Sequence, residues 1–144
     1  MKLREEYTCP LELTHDITKG KWKPIILWQL GKGKMSLSQL ERDIKGVNQK
    51  MLLEQLKELL DFGVIEKESF AGYPLKVEYS LTERGHKLLE AIVIMQSIGI
   101  DLMKENGMFD VLKEQGVYLM KRIPTKKWVI YFVVASCYAC SRRR

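Results

Sequence analysis

Apolar positions recur at helical spacing through most of the chain, and the period switches to alternation only between residues 64 and 81. Leu11, Thr14 and Ile17 mark one face of a first short helix, opened by Thr8-Cys9-Pro10 and closed by Gly20 as its C′ residue. A second helix carries Ile25, Ile26, Leu27 and Leu30, an arrangement that predicts burial on most sides. Pro24 suits its first position, where a missing N–H costs nothing, and Trp22 and Leu27 then have the spacing of a hydrophobic staple. Gly31 ends it.

Lys32-Gly33-Lys34 reads as a turn. Ser36 and Gln39 then form a capping box, with Met35 and Leu40 as its staple. The helix they open is short, because Lys45-Gly46-Val47 breaks the pattern. Asn48 is a good N-cap for the next helix, which runs to about Asp61 and buries Leu52, Leu56, Leu59 and Leu60. Two helices joined by about four residues make either a helix-turn-helix or an ordinary helical hairpin. The alternation that follows favours the first. Val64–Phe70 reads as a strand, Ala71-Gly72-Tyr73-Pro74 as a turn, and Val77, Tyr79 and Leu81 alternate with Glu78 and Ser80. A β-hairpin directly after a helix-turn-helix is the layout of a winged helix. The expected fold class is mainly α with a small β-hairpin wing (α+β), flanked by dimerisation helices.

Thr82 caps a long helix that is apolar on more than one face. A domain this small has no core to cover all of it, so a homodimer seam through Leu88, Ile92, Met95 and Ile98 is expected; residues 109–144 are the alternative cover.

A chain of 144 residues, 46% apolar and 29% charged, is too apolar for disorder and suits one domain with an appendage. The division expected is a DNA-binding and dimerisation domain over 1–108 and a C-terminal extension over 109–144. The net charge of +6 suggests nucleic acid, but its distribution removes that argument. Residues 1–108 hold sixteen Lys and Arg against sixteen Asp and Glu; residues 109–144 hold eight against two. A case for DNA must rest on where individual Lys and Arg stand.

The combination of motifs is more specific than any one of them. Cys9-Pro10 and Gly20-Lys21-Trp22-Lys23 lead into Ile25-Ile26-Leu27 and Leu30-Gly31. Ser36-Leu37-Ser38-Gln39-Leu40 precedes Asn48-Gln49-Lys50-Met51-Leu52, and Val77 to Thr82, Gly85 and Leu88 follow the turn. In this order and spacing, over roughly residues 9–106, the chain resembles the HxlR family of bacterial winged-helix transcription regulators, which share their architecture with the MarR type. The resemblance implies a homodimer on double-stranded DNA at an operator palindrome, with a small molecule or an electrophile as effector. Met35 stands where many relatives have an aromatic residue, and Gln55 where the recognition helix often carries Arg.

On the helix from Asn48, the face opposite the leucines carries Gln49, Lys50, Glu54 and Lys57. Asn48 and Gln49 have the donor–acceptor pair that reads adenine, and Lys50 donates to guanine or phosphate. Glu54 repels phosphate unless it accepts from a cytosine amino group. Ser36, Ser38 and Leu53 complete the candidate contacts, and Lys76 and Lys67 on the hairpin, with Lys32, Lys34 and Lys45 in turns, are candidates for phosphate. The plainer reading is a solvated helix face. It leaves a second function open: a non-catalytic protein-interaction module on a winged fold that no longer binds DNA.

Enzyme chemistry has little to work with. His15 and His86 are the only histidines, and no phosphate loop, GxGxxG or HExxH motif occurs, so neither an enzyme, a metal nor a cofactor is expected. Cys9 stands at a helix start, where the positive end of the helix dipole favours an anion, and the family resemblance implies a redox or electrophile sensor at this position. An inert cysteine is the alternative. Cys137 and Cys140 form a CxxC without the second pair a zinc ribbon needs. MKLREEYTCP has no apolar core, so no signal peptide is expected. The apolar run Trp128–Cys140 would span about 20 Å as a helix, short of the roughly 30 Å hydrocarbon layer. A cytoplasmic protein without a membrane partner is therefore expected.

Overall fold

The computed structural model describes residues 6–71 and 76–114. The chain falls into two compact units, 1–92 and 93–144, each taken by itself below. The first unit runs α1 (Pro10–Thr18), α2 (Trp22–Leu30), β1 (Met35–Ser36), α3 (Leu37–Asp43), α4 (Gln49–Asp61), β2 (Ile65–Phe70) and β3 (Lys76–Leu81). It also contains the start of α5 (Glu83–Glu105), which continues into the second unit, where α6 (Phe109–Glu114) follows. The fold is a mostly helical winged helix.

Local chemistry accounts for most element boundaries. Cys9 is the N-cap of α1 with Pro10 in first place, and Gly20 follows with φ +91°. The sequence places Pro24 first in the second helix; the structure begins α2 at Trp22, so Pro24 is third, still within the first turn where no N–H has an intrahelical partner. The expected Trp22–Leu27 staple is therefore replaced by direct packing of Trp22 on the core. Leu11, on the face marked by Thr14 and Ile17, is 73% exposed, while the same helix buries Asp16. Ile17 is the residue of that apolar set that packs against the core.

The sheet holds a strand that the apolar pattern did not announce. Met35 pairs with Tyr79 and Ser36 with Glu78, which makes a three-stranded antiparallel sheet in the order β1-β3-β2. Two residues are too few to show alternation. The hairpin runs from Ile65 opposite Leu81 to Phe70 opposite Lys76.

The core gathers Ile26, Leu27 and Leu30 from α2, Leu40 from α3, and Leu52, Leu56 and Leu59 from α4. Val64, Ile65, Tyr79 and Leu81 close it from the sheet side, and Ile92 from α5. The start of α5 is fixed by one hydroxyl: Thr82 Oγ1 accepts from the Gly85 N–H at 3.2 Å and donates towards the Gly63 and Val64 carbonyls at 2.8 and 3.0 Å. A Cβ at Gly85 would stand 2.2 Å from the Val64 carbonyl oxygen, so only glycine permits this helix to lie against the hairpin.

Candidate nucleic-acid interface

Helix α4 is presented by two caps in sequence. Ser36 Oγ accepts from the Gln39 N–H at 3.4 Å, and the Gln39 side chain accepts from the Ser36 N–H at 2.7 Å, the reciprocal capping box read from the sequence. The turn after α3 is held by Ile44, which is buried, and by Gly46 at φ +84°. Asn48 Oδ1 then accepts from the Met51 N–H at 2.8 Å and starts α4. With Leu52, Leu56 and Leu59 turned inward, the residues left exposed on α4 include Gln49, Lys50, Leu53, Glu54 and Lys57. The predicted contacts of this helix thus share one surface.

Some side chains are already engaged. The Asn48 amide oxygen is used as a cap, so its donor–acceptor pair is already partly engaged. Ser36 is half-buried and caps α3, with its hydroxyl 3.3 Å from that of Ser38, which is exposed. Lys76 Nζ pairs with Glu78 Oε1 at 2.7 Å and lies 5.6 Å from the Phe70 ring centre. Lys34 Nζ pairs with Glu68 Oε2 at 2.5 Å, and that hydrogen bond, with the carboxylate's charge, holds the Lys34 ammonium above the usual lysine range.

The register explains both pairs. Glu68 stands opposite Glu78 and Glu66 opposite Ser80, so three carboxylates share one face of the sheet. Lys34 and Lys76 offset them. Two of the five lysines read as phosphate contacts, Lys34 and Lys76, therefore have carboxylate partners, though exposed pairs of this kind hold weakly. Lys67 lies opposite Tyr79, on the other face. Burial holds Lys32 below the usual lysine range, with the Asp43 charge acting against the shift. The hairpin tip, residues 72–75, lies outside the described residues.

One contact of α4 is not visible in the sequence pattern. Lys23 of α2 is 2% exposed and forms an ion pair with Glu58 of α4, whose side chain is 39% exposed. A lysine among helix-face residues looks like a solvated charge, and only tertiary packing shows otherwise.

Cys9 is exposed and free, and the neighbouring Thr8 gives both its N–H and its hydroxyl to Glu12 Oε2 at 3.1 Å. Cys137 and Cys140 lie outside the described residues, as does the apolar run Trp128–Cys140. On α5 the expected dimer set divides. Ile92 is buried in the protomer's own core, and Leu88 is half-buried against that core. Met95 and Ile98 are exposed, and they share a stripe with Ile94 and Leu102. Among the described residues no group of three His, Cys, Asp or Glu is arranged to hold a metal, and no helix is long and apolar enough to cross a membrane.

A capped helix pair backed by a three-stranded sheet, with the second helix polar outward, defines a winged helix-turn-helix of the DNA-binding class. The chain matches the HxlR-like helix-turn-helix family over residues 17–107 and belongs to it, as a transcription regulator of helix-turn-helix type. It is similar to the regulatory protein MalR of Fusobacterium mortiferum, 42% identical over 100 residues that make 69% of this chain and 94% of MalR. Among solved structures it is similar to the redox regulator HypR in its oxidized form, with 38% identity and a TM-score of 0.62 over 65% of this chain and 96% of HypR. It is also similar to diamide-treated YodB of Bacillus subtilis, with 31% identity and a TM-score of 0.57 over 64% of this chain and 92% of YodB.

Proposed function

We propose that the protein is a sequence-specific repressor that binds a palindromic operator as a homodimer in the cytoplasm and loses affinity when Cys9 is oxidised or takes up an electrophile. The observation that carries the DNA reading is the first turn of α4, where Asn48 fixes the helix start and Gln49 and Lys50 project into solvent. Base edges are read from such a first turn in helix-turn-helix proteins. The exposed stripe Ile94, Met95, Ile98 and Leu102 supports the homodimer, since a twofold copy of α5 is the simplest cover for it. Exposure of Cys9 at a helix start supports the redox signal, as does likeness to HypR, a redox regulator by name. Residues 1–108 form the binding and dimerisation domain in this reading, and 109–144 add basic charge to it.

The test is a gel shift on the DNA upstream of the protein's own gene, across a range of salt, with and without diamide. A retarded band whose affinity falls steeply with salt supports binding. Loss of the band in oxidant, absent from Cys9→Ser, supports the switch. A response unchanged in Cys9→Ser removes Cys9 from it. The acidic sheet face of Glu66, Glu68 and Glu78 favours a second reading, a protein-interaction module, and that reading stands if no DNA is retarded.

A further inference from the structure

Leu53 is 44% exposed on a helix whose inward seam is already complete with Leu52, Leu56 and Leu59. Core packing does not account for it. One helical turn before it stands Gln49, one turn after it Lys57, and three residues before it Lys50, all exposed. A single exposed leucine in the first half of α4 is thus flanked by an amide and two ammonium groups, with the Glu54 carboxylate next to it in the chain. Such a spot is too small for a protein partner, which needs roughly 800 Å² from each side. It matches one apolar group in the major groove, the C5-methyl of thymine, the feature that no other base presents there.

We propose that Leu53 is a specificity-determining residue that reads the C5-methyl of a thymine beside the base pair contacted by Gln49; this rests on the DNA reading above. The spacing agrees with it. Side chains one turn apart are about 5–6 Å from each other at Cβ, and successive base pairs rise about 3.4 Å. Leu53 therefore meets the groove one or two steps from the pair that Gln49 contacts. Its apolar branch needs no proton donor, so this position discriminates by contact with a methyl rather than by hydrogen bonding.

The experiment selects duplexes from a random-sequence library with the full-length wild-type chain. Each thymine of the enriched half-site is then replaced in turn by deoxyuridine, which lacks only the methyl. Affinity should fall about fourfold at one thymine per half-site, the value of one buried methyl group. For Leu53→Ala the same replacement should change nothing, and circular dichroism should match wild type because Leu53 is outside the core. Met51→Ala, at the other exposed apolar residue of α4, should keep the wild-type ratio. Equal binding of thymine and deoxyuridine duplexes at every position overturns the assignment, and so does a ratio that survives in Leu53→Ala. Enrichment of no sequence at all overturns the DNA reading itself, whereas enrichment without a methyl effect overturns only the role of Leu53.

Discussion

Lys23 of α2 meets Glu58 of α4 from a position almost wholly withdrawn from water, while the carboxylate keeps much of its own exposure. Helix α4 is thereby tied to α2 by charge as well as by its leucine seam. The two partners are not equivalent. Removing the carboxylate strands a buried ammonium, whereas removing the lysine leaves a carboxylate that water can reach.

The asymmetry sets an order among variants. Glu58→Gln should cost about 3 kcal/mol, the loss expected when a buried charge is left uncompensated. Lys23→Met fills the same volume without charge and should cost under about 1 kcal/mol. Urea denaturation midpoints give the comparison. Equal losses from the two substitutions would mean that the pair is not buried in solution.

Base and phosphate contacts should separate by specificity. Gln49→Ala or Lys50→Ala should each cost about 1–3 kcal/mol on the preferred operator and relax the preference at one position. Lys76 must leave Glu78 to reach phosphate, and Lys76→Ala should weaken all sequences alike while lowering the salt slope by about one. Binding titrations against a panel of operator variants at several salt concentrations decide this. A uniform loss from all three variants would show that α4 does not read bases.

For the homodimer, the structure moves the useful substitutions from Ile92 to the exposed stripe. Met95→Glu with Ile98→Glu should leave the core intact and give a species of about 16.8 kDa by light scattering, against twice that mass for wild type. A monomeric wild type at micromolar concentration would remove the stripe from any role in self-association.

Alkaline pH should loosen the sheet edge. Glu68 raises Lys34 above the ordinary lysine value of 10.5, so their pairing stabilises the fold below that pH and is lost as pH rises through the raised value. Wild type should therefore lose more stability than Lys34→Met as pH rises past 10.5. Thermal melts across that range report the difference, and parallel curves would mean that the pair contributes nothing.

Much of this was legible because it is local. The capping box at Ser36 and Gln39, the cap at Asn48 and the inward leucines of α4 all depend on residues three or four apart. The hairpin was legible from strict alternation at Val77, Tyr79 and Leu81. The rest needed partners far along the chain. Lys23 and Glu58 are not neighbours in any sequence period, and the engagement of Lys34 by Glu68 depends on how β2 is placed across the sheet. Ile92 was assigned to a partner because its helix is apolar on several sides, yet the protomer's own core reaches it first.

The two-residue strand β1 has a consequence for how the molecule is made. Met35 must find Tyr79, so the start of the helix-turn-helix is completed only by a segment synthesised much later. Closing so long a loop carries an entropic cost that the local helix caps do not meet by themselves. On the ribosome, a nascent chain that has exposed only α1 to α4 holds both helices of the helix-turn-helix and still lacks the strand that pairs with Met35 and Ser36. The helix-turn-helix is thus completed once β3 has emerged, and a product truncated before Tyr79 should not reach the folded state of the full chain.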